Sequence, residues 1–158
     1  MIPAPGAEPV RHELPGVADT EAFGEQLGGE LAAGDVLLLA GPLGAGKTAL
    51  VRGLARGLGV AGQVASPTFV IAREHPSSGA GPALVHVDAY RLGGPDGSVD
   101  VAAELDDLDL DTELERAVVA VEWGVGVADR LATSAVEVVL ERRDDETRVA
   151  TLRRTARP

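Results

Sequence analysis

An α/β fold with a mainly parallel central sheet is predicted by three observations in this sequence. Apolar runs of strand length at 35–40, 83–88 and 118–122 alternate with segments of helical period. These runs are apolar nearly throughout, as suits strands covered on both faces. The first leads through a glycine-rich turn directly into an amphipathic helix.

Taken in order, residues 1–9 are rich in Pro, Ala and Gly and read as a loose lead-in. Asp19 or Thr20 is expected to cap a helix in which Phe23, Leu27 and Leu31 recur at four-residue spacing, ending near Gly34. Residues 35–40 (DVLLLA) form a central strand. Leu50, Leu54 and Leu58 then mark the buried stripe of a second helix, with Arg52 and Arg56 on its other face and Gly57 and Gly59 near its end.

Past Ser66 and Pro67, residues 69–73 and 83–88 are predicted strands around the turn-forming stretch 76–82. The acidic stretch 93–111 reads as a solvated face carrying short helices. Residues 118–122 are another strand and 125–131 a short helix or loop. A closing hairpin is predicted at 135–142 and 148–153 around the polar turn 144–146, which adds antiparallel strands to the sheet, and 154–158 is read as a frayed basic tail. At 158 residues the chain is read as one domain without internal repeats.

Composition narrows the chemistry. With no Cys, thiolate zinc sites, disulfides and a Cys nucleophile are excluded. His12, His75 and His86 show no zinc-binding spacing and are read as loop or strand residues. A net charge of −11 disfavours tight direct binding of nucleic acid, whose affinity comes largely from Lys and Arg. No apolar run is long enough to span a bilayer and no signal peptide is evident, so a cytoplasmic location is expected. Of the 14 basic residues all but Lys47 are Arg.

That single lysine lies in the decisive motif. Residues 41–48 read GPLGAGKT and match G-x-x-x-x-G-K-[ST] at every fixed position, a coincidence expected about once in a thousand chains of this composition. A strand before it and a helix after it are the context the motif requires. Gly41, Gly44 and Gly46 let the backbone turn tightly, so that the N–H groups from Gly44 through Ala45, Gly46, Lys47, Thr48 and Ala49 face a phosphate chain at the positive end of the helix. Lys47 reaches the β- and γ-phosphates, and the Thr48 hydroxyl faces magnesium. The fold class is therefore a P-loop NTPase-like three-layer sandwich.

Magnesium takes one or two protein oxygens besides phosphate, so an acid is expected at the end of a strand beside the P-loop strand. Asp88, ending ALVHVD, and Glu122, ending VVAVE, both qualify. Guanine selection by an Asn-Lys-x-Asp motif is impossible, since the only lysine is already used, and ATP is the expected nucleotide. Adenine contacts are expected near Thr20. Ser66 and Thr68, flanking Pro67, suit a loop that orders against a γ-phosphate, and equally suit a polar connection between helix and strand.

Together GPLGAGKT at 41–48, SPTF at 66–69, HVDAYRL at 86–92 and VEWG at 121–124 resemble the TsaE family of bacterial ATPases, in order and spacing over about residues 19–122. The resemblance implies an ATPase that works with the TsaD and TsaB proteins in threonylcarbamoylating the adenosine beside the anticodon of tRNA. It implies magnesium ligation by Thr48 and Glu122, a part in hydrolysis for Asp88 and a switch role for the loop with Ser66 and Thr68. Many members carry proline after the Glu-Trp pair, whereas Gly124, Val125 and Gly126 follow Trp123 here. Rival readings are a small-molecule kinase, which needs an acceptor pocket and an arginine-bearing lid, and a nucleotide-gated binding module.

Overall fold

The computed structural model describes residues 1–41, 45–60, 72–79, 81–88, 115–122 and 134–156. Its elements are β1 (Val10–Leu14), α1 (Val17–Glu30), β2 (Val36–Ala40), α2 (Lys47–Leu58), β3 (Ala72–His75), β4 (Ala83–Asp88), β5 (Ala117–Glu122), β6 (Ser134–Arg142) and β7 (Arg148–Ala156). The strands form one sheet in the order β1-β7-β6-β2-β5-β4-β3. Its centre, β6-β2-β5-β4, is parallel, and the flanking pairs β1·β7, β6·β7 and β3·β4 are antiparallel. The predicted P-loop NTPase-like α/β class is the class observed.

Strand alternation sorts the core. Leu37 and Leu39 of β2, Val118 and Ala120 of β5, Leu84 of β4 and Val136, Val138 and Leu140 of β6 join one cluster with Phe23 and Leu27 of α1 and Leu50 and Leu54 of α2. The alternate residues Val36, Leu38, Val85, Val87, Val119 and Val121 are also buried, so the central strands are covered on both faces, which is why they read as unbroken apolar runs.

Glycines set the distance between the two helices. A β-carbon on Gly24 would stand 2.2 Å from the Leu50 carbonyl oxygen, and one on Gly53 1.9 Å from that of Glu21. The backbones thus touch directly, and the contact is rimmed by Arg52 and Arg56, which both donate to Glu21 at 3.1 and 2.9 Å.

The structure corrects several sequence expectations. Helix α1 begins at Val17 behind an extended Gly16, and Asp19 and Thr20 lie inside it. Asp19 acts from the third helical position, where its carboxylate accepts the Gly16 N–H at 2.9 Å. Strand β1 adds to the predicted elements: a five-residue edge strand with three polar residues carries little apolar signal, and its pairing with β7 defines it. β3 ends at His75, two residues beyond the expected end, as its pairing with β4 continues to Leu84. β7 runs to Ala156, so residues 154–156 are a paired strand and no frayed tail. The lead-in is also anchored: Met1 and Ile2 pack against the core, and the Ile2 N–H donates to Glu30 at 3.3 Å. No helix among the described residues is long and apolar enough to cross a membrane. The stretches 93–111 and 125–131 lie outside the described residues.

Candidate nucleotide-binding site

The phosphate-loop sequence departs from β2, with parallel neighbours β5 and β6 on its two sides, at the carboxyl end of the sheet where α/β folds bind ligands. Gly41 follows the last strand residue; a β-carbon there would stand 2.7 Å from the Leu140 carbonyl oxygen of β6, so only glycine fits. Ala45 is fully buried. Gly46 is the N-cap of α2 and has φ 102°, a left-handed conformation in which a side chain is strained.

The two helix starts differ in a way that matters for anions. The first turn of α1 is closed by Asp19, whereas that of α2 has neither a capping side chain nor an acid. The leading N–H groups of α2 lie at the positive end of the helix dipole, in a turn without an acid to offset it. Lys47, the first residue of α2, is 93% buried by its 7% exposure, and its Nζ donates to the Gly41 carbonyl oxygen at 2.8 Å. The ammonium thus spans the loop from its last residue to its first. Thr48 and Ala49 follow in the same turn, half-buried and buried.

Strand register separates the two acids that the sequence leaves equivalent. Glu122 is paired with Leu39 of β2 and so ends the strand directly beside the phosphate-loop strand. Asp88 is paired with Glu122 on its far side, one strand further away. Glu122 is 7% exposed, and its Oε2 lies 3.1 Å from Nε2 of His86, which is fully buried. An ionised carboxylate only accepts, so the ring nitrogen donates. His86 is a strand residue to which motif spacing gives no role. The available signal was parity: in ALVHVD it shares a face with core residue Leu84 and so had to find a buried partner.

Beside Gly46 and Ala49 a cavity of about 130 Å³ is lined by Gly16, Thr20, Glu146 and Arg148 among others. Thr20 is 2% exposed, and its hydroxyl donates weakly to the Gly16 carbonyl at 3.4 Å. Arg148, from β7, donates through Nε to the Ala45 carbonyl at 3.1 Å, a brace on the loop that the sequence did not announce. Gly44, Ser66 and Thr68 lie outside the described residues, as do Tyr90, Arg91 and Trp123 to Gly126.

Against this geometry the comparisons with known proteins are consistent. The family model described as "Threonylcarbamoyl adenosine biosynthesis protein TsaE" matches residues 14–150. The chain belongs to the TsaE family. A TsaE protein of Mycobacterium tuberculosis (strain ATCC 25618 / H37Rv) is 54% identical over 140 residues, covering 87% of this chain and 83% of its own. TsaE of Bacillus subtilis (strain 168) is 36% identical over 134 residues, covering 84% of this chain and 78% of its own. Among solved structures, the crystal structure of Bacillus subtilis YdiB superposes with a TM-score of 0.71 at 28% identity, covering 94% of this chain and 86% of that one. Membership assigns the chain a role in tRNA threonylcarbamoyladenosine biosynthesis and accounts for the P-loop NTPase-like fold.

The side chains at this site have the donor chemistry that suits a magnesium ion. The Glu122 carboxylate is buried, and among the described residues its one hydrogen-bond partner is His86 at Oε2, so Oε1 remains for a cation. A buried acid gains from such a counter-charge. A hydroxyl from Thr48 and a carboxylate oxygen are the hard donors magnesium takes. The fit is good.

Proposed function

We propose that this protein binds and hydrolyses ATP with magnesium, in the cytoplasm, to support threonylcarbamoylation of the adenosine next to the anticodon in tRNAs, acting with the TsaD and TsaB proteins. The observation that carries the reading is the buried Lys47 ammonium bonded to the Gly41 carbonyl at the start of α2, with Glu122 ending the adjacent strand.

The phosphates would lie over the N–H groups from Gly44 to Ala49. Lys47 exchanges its Gly41 carbonyl for β- and γ-phosphate oxygens, which compensates the ammonium more fully than a neutral carbonyl does. Thr48 and Glu122 would hold magnesium, which when bound neutralises charge building on the transferred phosphoryl group. Among the described residues no group of three or more His, Asp or Glu forms a cage for a metal on its own, so the ion is expected together with the phosphates. Asp88 orients the attacking water. The nucleoside half extends past Gly46 and Ala49 to the cavity walled by Thr20, which is too small for a whole nucleotide and suits its ribose or base edge. Ser66 and Thr68 sense the γ-phosphate as a switch.

Catalysis would come from positioning and charge neutralisation. No arginine of this chain is assigned to the transition state, and a partner supplying one makes turnover slow alone and faster in the presence of TsaD and TsaB. The net charge of −11 fits partners, and not this chain, holding the tRNA. Calorimetric titration with ATP and magnesium, followed by phosphate release with and without the partners, tests the reading. Binding by the unaltered protein and its loss in Lys47→Ala are expected. A folded protein that takes up no ATP, alone or with its partners, overturns it.

A further inference from the structure

We propose that His86 is a positioning residue for Glu122: it holds one carboxylate oxygen so that the other faces the ion accompanying the nucleotide. This rests on the magnesium-ATP reading and extends it to a residue which that mechanism leaves unused.

Three observations converge. His86 is fully buried in a strand whose neighbouring inward residue, Leu84, belongs to the apolar core. Its register partner on β5 is Ala120, so Glu122, two residues further along, projects from the same face within diagonal reach. The Nε2 to Oε2 distance is 3.1 Å, and Nδ1, on the other side of the ring, is buried with no hydrogen-bond partner among the described residues. An apolar side chain of similar volume would fill this position without leaving a ring nitrogen unsatisfied. Among the described residues, what the imidazole adds is its bond to Glu122, and that bond removes a carboxylate's freedom to rotate. With Oε2 held, Glu122 presents Oε1 alone, as a single-oxygen ligand suited to an ion that keeps several waters.

Manganese serves as the probe in place of magnesium. Titrating it into the protein with ADP, and following free manganese by electron paramagnetic resonance, reads the metal site without turnover. His86→Leu is expected to weaken manganese binding about 10- to 100-fold while ADP binding in EDTA stays unchanged. His86→Gln, whose amide N–H points toward the same oxygen, recovers most of the loss. Glu122→Gln is the reference arm. If Glu122→Gln leaves manganese binding intact, the ligand assignment fails and the positioning role with it. If Glu122→Gln weakens binding and His86→Leu does not, the positioning role alone fails. Equal losses in the Leu and Gln variants, with metal-free ADP binding also reduced, identify a packing role and overturn the proposal. The unaltered protein gives a second reading should His86→Leu not fold. Its histidine ring-nitrogen NMR spectrum is expected to show the proton of His86 on Nε2, and a proton found only on Nδ1 contradicts the proposal.

Discussion

Arg148 reaches from β7 to the carbonyl oxygen of Ala45, 103 residues earlier, at 3.1 Å. Its second nitrogen donates to the Glu146 carbonyl at 2.6 Å, and its side chain is 17% exposed. The closing hairpin is thereby tied to the phosphate loop, at the residue before the N-cap of α2. Arg148→Ala is expected to cost about 1.5–3 kcal/mol of stability, the range for hydrogen bonds made by charged groups, and to weaken ATP binding. Arg148→Lys does not restore either, because an ammonium cannot place donors on two carbonyls in a planar fork. Denaturant unfolding and calorimetry check both, and ATP affinity unchanged in Arg148→Ala would refute the brace.

The helix interface predicts a matched pair of glycine substitutions. Gly53→Ala sets a methyl group 1.9 Å from the Glu21 carbonyl oxygen and is expected to destabilise by about 1–3 kcal/mol or more. Gly29→Ala, in the same helix pair but with nothing near its β-carbon position, is expected to be neutral or to stabilise by up to about 1 kcal/mol through helix propensity. Thermal or denaturant midpoints decide; equal effects at both positions would show that the close approach does not constrain the helices.

Glu122 and Asp88 are expected to separate in kinetics. Because Glu122 borders the phosphate-loop strand and Asp88 is one strand removed, Glu122→Gln is expected to weaken the dependence on magnesium. Asp88→Asn lowers turnover by about 100-fold or more with little change in ATP affinity. Magnesium titrations of the hydrolysis rate distinguish them, and an unaltered magnesium dependence in Glu122→Gln means the ligand lies elsewhere.

The hairpin turn predicts a pH response. Glu146 titrates below the ordinary glutamate range because Arg142 donates a hydrogen bond to it and adds a favourable charge interaction. Asp145 is lowered chiefly by the Thr147 backbone N–H, at 3.1 Å. Both folded-state values lie below the unfolded ones. Their contribution to stability is therefore complete above the ordinary carboxylate range and is lost as pH falls through the lowered values. Carboxyl NMR titration is expected to move Glu146 back toward the ordinary range in Arg142→Ala, while Asp145 stays low. No movement of Glu146 would exclude Arg142 as the cause.

Much of this was legible in the chain itself. The central strands were visible because burial on both faces demands unbroken apolar runs, and α2 because its leucines recur at helical spacing beside a motif that must open a helix. β1 was invisible because an edge strand is defined by the hydrogen bonds of its neighbour. The start of α1 was misplaced because Gly16 caps with its backbone while Asp19 answers from inside the helix.

Sequence alone located the phosphate-loop motif, since glycine spacing, one lysine and a hydroxyl are local chemistry carried by eight consecutive residues. It also narrowed the acids to Asp88 and Glu122. Only the tertiary structure decided which acid borders the loop, that His86 holds it, and that Arg148 braces Ala45. Those relationships depend on strand order and register, which join residues far apart in the chain and leave no mark in the spacing of either partner.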